Sequence, residues 1–134
     1  LKPLDGAKDF LDWAGERFQV AIISDTFYEF AGPLMVQLGD PFLLCHKLVV
    51  ENDRVVGYKL RQTDPKRHSV KAFKSLDLKV IAAGDSFNDV SMLEEADHGI
   101  FFQAPENVRA QFPQYPLAED YAQLQALIEA AVVG

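Results

Sequence analysis

The sequence has 134 residues, which fits one domain with a single sizeable core. Its 13 Lys and Arg against 20 Asp and Glu give a formal net charge of -7, which argues against nucleic acid or an anionic membrane as the main partner. No apolar run approaches membrane-spanning length. Cys45 is the single cysteine, so an intrachain disulfide is excluded and a reducing compartment is favoured.

Apolar periodicity and turn residues predict strands that alternate with helices along the chain. Strands are predicted over residues 20–24, 41–50, 55–61, 79–84 and 99–103, and helices over residues 5–17, 27–39, 64–76, 88–96, 105–112 and 118–132. Asp64 is the expected cap of the helix over 64–76, with Pro65 in its first turn. Residues 41–50 and 55–61 flank turn residues and predict a β-hairpin near 47–61.

The alternation indicates an α/β fold in which a parallel sheet is flanked by helices, as a single domain over residues 1–134. In such sheets, ligands bind beyond the carboxyl ends of the strands. The residues that follow each strand are therefore the candidates for a functional site.

Two carboxylates follow the predicted strand over residues 79–84. Asp85 ends this strand, and Asp89 lies four positions later in the first turn of the next helix, next to Asn88. Two close carboxylates repel unless a cation lies between them, and Mg²⁺ takes oxygen ligands while leaving positions for water and phosphate. The alternative is that Asn88 and Asp89 only favour a helix start, which explains Asp89 but not Asp85. The spacing favours a metal site.

Ser24 ends the other apolar strand, within the stretch VAIISDTF. One interpretation is a helix cap, in which Ser24, Asp25 or Thr26 accepts hydrogen bonds from free amides of the next helix. The other is an anion site, because a helix N-terminus attracts negative charge and the Ser24 hydroxyl adds a donor. The sequence leaves both interpretations open.

Lys66 and Arg67 lie in the first turn of the predicted helix over 64–76, where the helix dipole disfavours cations. Two solvated surface side chains are one explanation, and position alone favours it. The other is a bound anion such as phosphate, which would neutralise both the lysine and the dipole.

Ser24, Lys66 and the pair Asp85 and Asp89, in this order, resemble the haloacid dehalogenase superfamily of phosphoryl-transfer enzymes. The likeness extends over nearly the whole chain, and within the superfamily it is greatest to the phosphoserine phosphatase and phosphotransferase group. The stretches that carry it are SDTFYEF, DRVVGYKLRQTDPKR and VIAAGDSFNDVSMLEEA. The resemblance implies a Rossmann-like core and a cytoplasmic hydrolase that acts with Mg²⁺ on a small phosphorylated amino acid.

The resemblance also implies roles for the candidate residues. Ser24 would hydrogen-bond the transferring phosphoryl group, and Lys66 would neutralise it. Asp85 would bind Mg²⁺, and Asp89 would be a second metal ligand or lie beside the metal. Asn88 would contact the phosphoryl group or its attacking water.

Two further positions are candidates for substrate recognition. The phosphoserine phosphatases that this chain resembles have two glycines where it has Asp25 and Thr26. Asp25 and Thr26 would therefore recognise the phosphoserine substrate, or homoserine as an acceptor of the phosphoryl group.

The aspartate nucleophile of the family has no counterpart in this sequence. It ends the first strand and is followed two residues later by a second acid, whereas Asp25 is followed by Phe27 and Asp5 follows no strand. The resemblance thus predicts a core without its first, central strand and its cap, as the carboxyl-terminal part of a longer enzyme and inactive alone. A missing N-terminal segment or a partner would complete the sheet.

Two alternatives stay open at this point. In the first, the strands over 20–24 and 79–84 pair directly and close the sheet. In the second, the chain is a non-catalytic module that binds a metal or a phosphorylated ligand and acts through a partner.

Overall fold

The structure is a computed structural model that describes residues 4–39, 41–51, 54–59 and 65–133. The chain forms two compact units, Leu1–Pro65 and Lys66–Gly134, and each contains one three-stranded sheet. Within the described ranges, no helix is both long and apolar enough to cross a membrane.

The first unit contains a mixed sheet in the order β1-β2-β3. The strands pair in parallel between β1 and β2 and antiparallel between β2 and β3, and the elements are α1 (Ala7–Gly15), β1 (Ala21–Phe27), α2 (Tyr28–Gln37), β2 (Phe42–Glu51) and β3 (Arg54–Lys59). The β2–β3 pairs run from Lys47 with Lys59 to Glu51 with Arg54, which confirms the predicted hairpin.

Strand β1 continues past its predicted end at residue 24. Its pairing with β2 is regular up to Ile23 and resumes at Phe27, with a shift of register between them. Such an irregularity lets a strand continue while it changes the direction of its side chains. Helix α2 follows directly at Tyr28, so Ser24 is separated from the helix start, contrary to the capping interpretation for this residue.

The second unit contains a parallel sheet in the order β4-β5-β6. Its elements are α3 (Pro65–Ser75), β4 (Ile81–Gly84), a 3₁₀ turn (Phe87–Asp89), α4 (Val90–Glu95), β5 (His98–Phe102), α5 (Glu106–Gln111), β6 (Leu117–Ala118) and α6 (Tyr121–Val133). Helices connect consecutive strands, as parallel pairing requires. This confirms the predicted α/β class with parallel strands flanked by helices.

Three details of the second unit differ from the predictions. The short strand β6 was not predicted, and its residues displace the start of the last helix from residue 118 to Tyr121. The amides of Phe101 and Gln103 donate to the carbonyls of Pro116 and Ala118, both at 2.8 Å, and hold this strand on β5. The helix predicted over 88–96 begins as a 3₁₀ turn.

The core of the second unit is an apolar cluster between β4, β5 and the helices. It consists of Val70, Ala82, Val90, Met92, Leu93, Phe101, Ala104 and Val108. Burial of a large apolar side chain such as Leu93 or Phe101 contributes about 1.5–3 kcal/mol. Leu124 and Ile128 are buried on the predicted apolar face of α6.

Burial alternates along strand β4. Ala82 is buried and Ala83 is exposed. Strand β4 pairs with β5 in one sheet, and β1 pairs with β2 in the other. The direct pairing of residues 20–24 with 79–84 is not among the strand pairs of the described residues.

Candidate functional site

Lys66 and Asp89 form an ion pair in the second unit. The Lys66 Nζ donates to Asp89 Oδ1 at 2.5 Å, and the two side chains are only 12% and 6% exposed. Lys66 lies in the first turn of α3, and Asp89 ends the 3₁₀ turn that follows β4. Lys66 is therefore not the solvated surface lysine that its position favoured, and Asp89 supplies the negative charge beside it.

The other oxygen of Asp89 organises the loop after β4. Asp89 Oδ2 accepts hydrogen bonds from the backbone amides of Asp85 at 2.8 Å and Ser86 at 3.2 Å. The loop is thus wrapped around a buried carboxylate, and we refer to residues 84–89 as the site loop. Asp89 fixes both the loop backbone and the lysine of the neighbouring helix.

The protonation of Asp89 follows from these contacts. Burial by itself raises the pKa of the Asp89 carboxyl, because it disfavours the charged form. The hydrogen bond and charge of Lys66, together with the amides of Asp85 and Ser86, act in the opposite direction and outweigh burial. The pKa of Asp89 is held below its ordinary value, so the carboxylate is ionised at neutral pH.

Gly84 makes room for this carboxylate. A Cβ atom at position 84 would lie 2.5 Å from the Asp89 Cβ and 2.6 Å from its Cγ and Oδ2. Any side chain at position 84 would displace Asp89. The glycine that ends β4 is therefore needed for close approach of the aspartate to the strand.

Asp85 differs from Asp89 in its surroundings. Its side chain is exposed at the carboxyl end of β4, and its backbone amide, rather than its carboxylate, contacts Asp89. An exposed carboxylate at a strand end fits Mg²⁺ as one oxygen ligand. Asp89 fits a place beside the metal better than a place on it, since protein donors already occupy both of its oxygens.

The residues of this chain fit magnesium only in part. No group of three or more His, Cys, Asp or Glu side chains that could hold a metal ion occurs among the described residues. Asp85 offers one exposed carboxylate, so further ligands would have to come from elsewhere. The assignment of Asp85 and Asp89 to a metal site stays a prediction.

Asn88 and Ser86 occupy the tip of the site loop. The Ser86 hydroxyl lies within hydrogen-bond reach of Asn88 Oδ1 and, at 3.2 Å, of Asp89 Oδ2. The Asn88 side chain is exposed, as a residue that contacts a ligand must be. Sequence reasoning missed Ser86, although a serine three residues before Asp89 has the spacing of a helix N-cap and its N3 acid.

The second cation at the start of α3 has its own partner. Arg67 Nε lies 3.5 Å from Glu95 Oε1, and the Arg67 side chain is 50% exposed. The carboxylate of Glu95 also lies 3.8 Å from Lys74 Nζ. These exposed pairs connect α3 with α4, so Arg67 fits the surface interpretation while Lys66 does not.

The remaining predicted site residues lie in the first unit. Ser24 is half-buried in β1, between the regular part of the β1–β2 ladder and its shifted end. The backbone of Asp25 and Thr26 belongs to the same strand, but their side chains lie outside the described part, as does the predicted cap Asp64. Irregular strand ends are common next to active sites, which is compatible with the predicted roles of these residues.

Comparison with known proteins establishes the class. Residues 1–94 match the haloacid dehalogenase-like hydrolase family, and the chain therefore belongs to this family. Phosphoserine phosphatase ThrH of Pseudomonas aeruginosa is 65% identical to it over 126 residues, which cover 93% of this chain and 62% of that protein. A phosphoserine phosphatase of Pseudomonas syringae pv. tomato is 63% identical over 93% of this chain and 53% of its own length.

A solved structure shows the same fold. The phosphoserine phosphatase from T. onnurineus, crystallised in complex with NDSB-201, superposes with a TM-score of 0.74 at 28% sequence identity. The match covers 96% of this chain and 60% of that one. The predicted family and fold are confirmed, and the chain spans between about half and two thirds of the length of these relatives.

Proposed function

We propose that this chain is part of a Mg²⁺-dependent phosphoserine phosphatase, and that residues 1–134 form a single partial domain of it. The observation that carries the proposal is the buried Lys66–Asp89 pair beside the exposed Asp85, in a chain of this family. A lysine held by a buried carboxylate keeps its position, so it can contact a phosphoryl group without reorganisation. The sequence identity to proteins named phosphoserine phosphatase supports the substrate.

The proposed roles follow from the resemblance to the family. Lys66 neutralises the phosphoryl oxygens, Asn88 and Ser24 donate hydrogen bonds to them, and Asp89 holds the lysine and the site loop. Asp85 binds Mg²⁺, which would supply positive charge to the phosphoryl group.

Three further elements complete the proposal. An aspartate nucleophile comes from a segment outside residues 1–134, which also completes the sheet and the metal site. Asp25 and Thr26 select the substrate or, in transfer to homoserine, the acceptor. A cytoplasmic location is supported by the single cysteine of the sequence.

The test compares phosphate release from phosphoserine by a longer protein that contains this chain and by the 134-residue chain alone. We expect Mg²⁺-dependent release by the longer protein only, and loss of at least about a hundredfold in Asp85→Asn, as for other electrostatic contributors. Asp77→Asn is the matched control: Asp77 is exposed, precedes β4, and has a φ of 68°, which asparagine tolerates. It should keep full activity.

Each outcome distinguishes the alternatives. A longer protein that binds phosphoserine or Mg²⁺ but releases no phosphate would favour the non-catalytic module. Phosphate release by the 134-residue chain alone, abolished by Asp85→Asn, would disprove the prediction that the nucleophile lies outside this chain. Equal activity of Asp85→Asn and Asp77→Asn would remove Asp85 from the site.

A further inference from the structure

The Ser86 hydroxyl faces two acceptors in the site loop. Its Oγ lies within hydrogen-bond reach of Asn88 Oδ1 and at 3.2 Å from Asp89 Oδ2. A serine hydroxyl has a single proton, so it can donate to only one of these oxygens at a time. Which one receives it decides the orientation of the Asn88 side chain.

Both carboxylate oxygens of Asp89 already accept hydrogen bonds from other groups. Oδ2 accepts from the amides of Asp85 and Ser86, and Oδ1 accepts from Lys66. A carboxylate offers roughly four lone-pair sites over its two oxygens, and the two amides fill those of Oδ2. The hydroxyl proton of Ser86 is therefore directed to Asn88 Oδ1.

This hydrogen bond fixes which end of the Asn88 carboxamide faces Ser86. With Oδ1 turned to the serine, the amino group lies at the opposite end of an exposed side chain. The amino group is a donor only and suits an anion, whereas the carbonyl oxygen would repel it. In the flipped carboxamide, the donor would be lost and an acceptor would face the phosphoryl oxygens.

We propose that Ser86 is a positioning residue that holds the Asn88 carboxamide with its amino group toward the phosphoryl group of the substrate. The inference rests on the proposed function, because it needs a phosphoryl ligand beside Asn88. Ser86 itself acts through Asn88 rather than on the substrate. Its φ of -140° and ψ of 169° are extended, a conformation that threonine adopts readily.

The test is a double-mutant cycle in the longer protein, with phosphoserine kinetics as the readout. Ser86→Ala should lower kcat/KM by about tenfold, the size of a hydrogen bond to a charged group. In an Asn88→Ala background, Ser86→Ala should cause no further loss, since the side chain that it orients is gone. Ser86→Thr keeps the hydroxyl and should stay within about twofold of the parent kcat/KM.

Ser75→Ala is the matched control, because Ser75 is an exposed serine whose Oγ donates to the Ala72 carbonyl at 2.6 Å on α3. It should leave kcat/KM unchanged. Thermal unfolding of every variant separates a positioning role from a folding role. If Ser86→Ala does not fold, the kcat/KM of Ser86→Thr tests the positioning role in its place. Activity of Ser86→Thr far below that of the parent, in a folded protein, would then overturn the inference.

Additive losses in the Ser86 and Asn88 cycle would overturn the inference while the proposed function stands. A wild-type longer protein that releases no phosphate would overturn both. The two failures are distinguishable, because the second is seen before any variant is made.

Discussion

Lys66 Nζ and Asp89 Oδ1 lie 2.5 Å apart, although the two residues are 23 positions apart in the sequence. Both side chains are largely buried, so the pair connects the start of α3 with the loop after β4 in a place where water contributes little screening. The same carboxylate holds two backbone amides of the site loop. Several consequences for stability and activity depend on this one contact.

The first prediction concerns loss of the lysine. Lys66→Met should lower the free energy of unfolding by about 3–5 kcal/mol, because it leaves a buried carboxylate without its cation. Urea unfolding followed by circular dichroism measures this. The control is Lys8→Met, which breaks an exposed pair with Asp12 at 3.0 Å, where both side chains are more than half exposed.

The control should cost at most about 0.5 kcal/mol, as is typical of exposed i,i+4 pairs. If the two variants were destabilised equally, the Lys66–Asp89 pair would carry no more weight than a surface contact. That result would contradict a major contribution of this buried pair to the stability of the fold.

The second prediction concerns how the stabilising effect of Asp89 depends on pH. The pKa of Asp89 is lowered in the folded chain, so its contribution to stability is complete above the unfolded-state value of about 3.9. It is lost as pH falls through the folded-state pKa, because the folded state then takes up the proton as well. The difference in unfolding free energy between the parent and Asp89→Asn should therefore be largest near neutral pH and shrink below about pH 4.

Urea unfolding of both proteins between neutral pH and the acid limit of folding measures that difference. A gap that stayed constant down to the lowest pH would show that the charge of Asp89 does not matter for folding. The carboxylate would then act through its shape alone.

The third prediction concerns the close approach at Gly84. Gly84→Ala should destabilise the fold by about 1–3 kcal/mol, since the new Cβ would meet the Asp89 side chain at 2.5 Å. Gly32→Ala is the control. Gly32 lies inside α2 with nothing within 4 Å of the added Cβ, and alanine there should stabilise by about 0.5–1 kcal/mol.

Thermal unfolding gives the sign of both changes directly. Opposite shifts are expected from the same chemical substitution. A Gly84→Ala variant as stable as the parent would mean that the site loop can move away from β4 without cost.

The fourth prediction concerns metal. In the longer protein, Mg²⁺ should raise the unfolding temperature of the wild type but not of Asp85→Asn, because a ligand that binds only the folded state stabilises it. Chelation should abolish phosphate release, and added Mg²⁺ should restore it. Differential scanning calorimetry with and without Mg²⁺ measures the shift; an equal shift in both proteins would place the metal away from Asp85.

The elements that the sequence predicted well are those whose signals are local. The hairpin between β2 and β3 follows from two apolar runs around a polar turn, and Gly39, with a φ of 85°, stops α2 as expected. Strand β6 could not be predicted, because its two residues have no periodicity of their own. It exists through hydrogen bonds to β5, which are a property of the folded chain.

The site was predicted as a set of residues but not as a set of contacts. Asp85 and Asp89 were singled out together by spacing, yet the structure surrounds one with protein donors and leaves the other exposed. The partnership of Lys66 with Asp89 depends on how α3 packs beside β4. No pattern within either segment encodes that distance.

Gly84 and Asp89 are tied to each other in a way that limits how this family of sequences can vary. The space that a side chain would need at position 84 is filled by a carboxylate from five residues later. A relative that carries a bulkier residue at the first position must place its acid differently at the second, and with it the lysine that the acid holds. The residues at the two positions are therefore expected to change together or not at all.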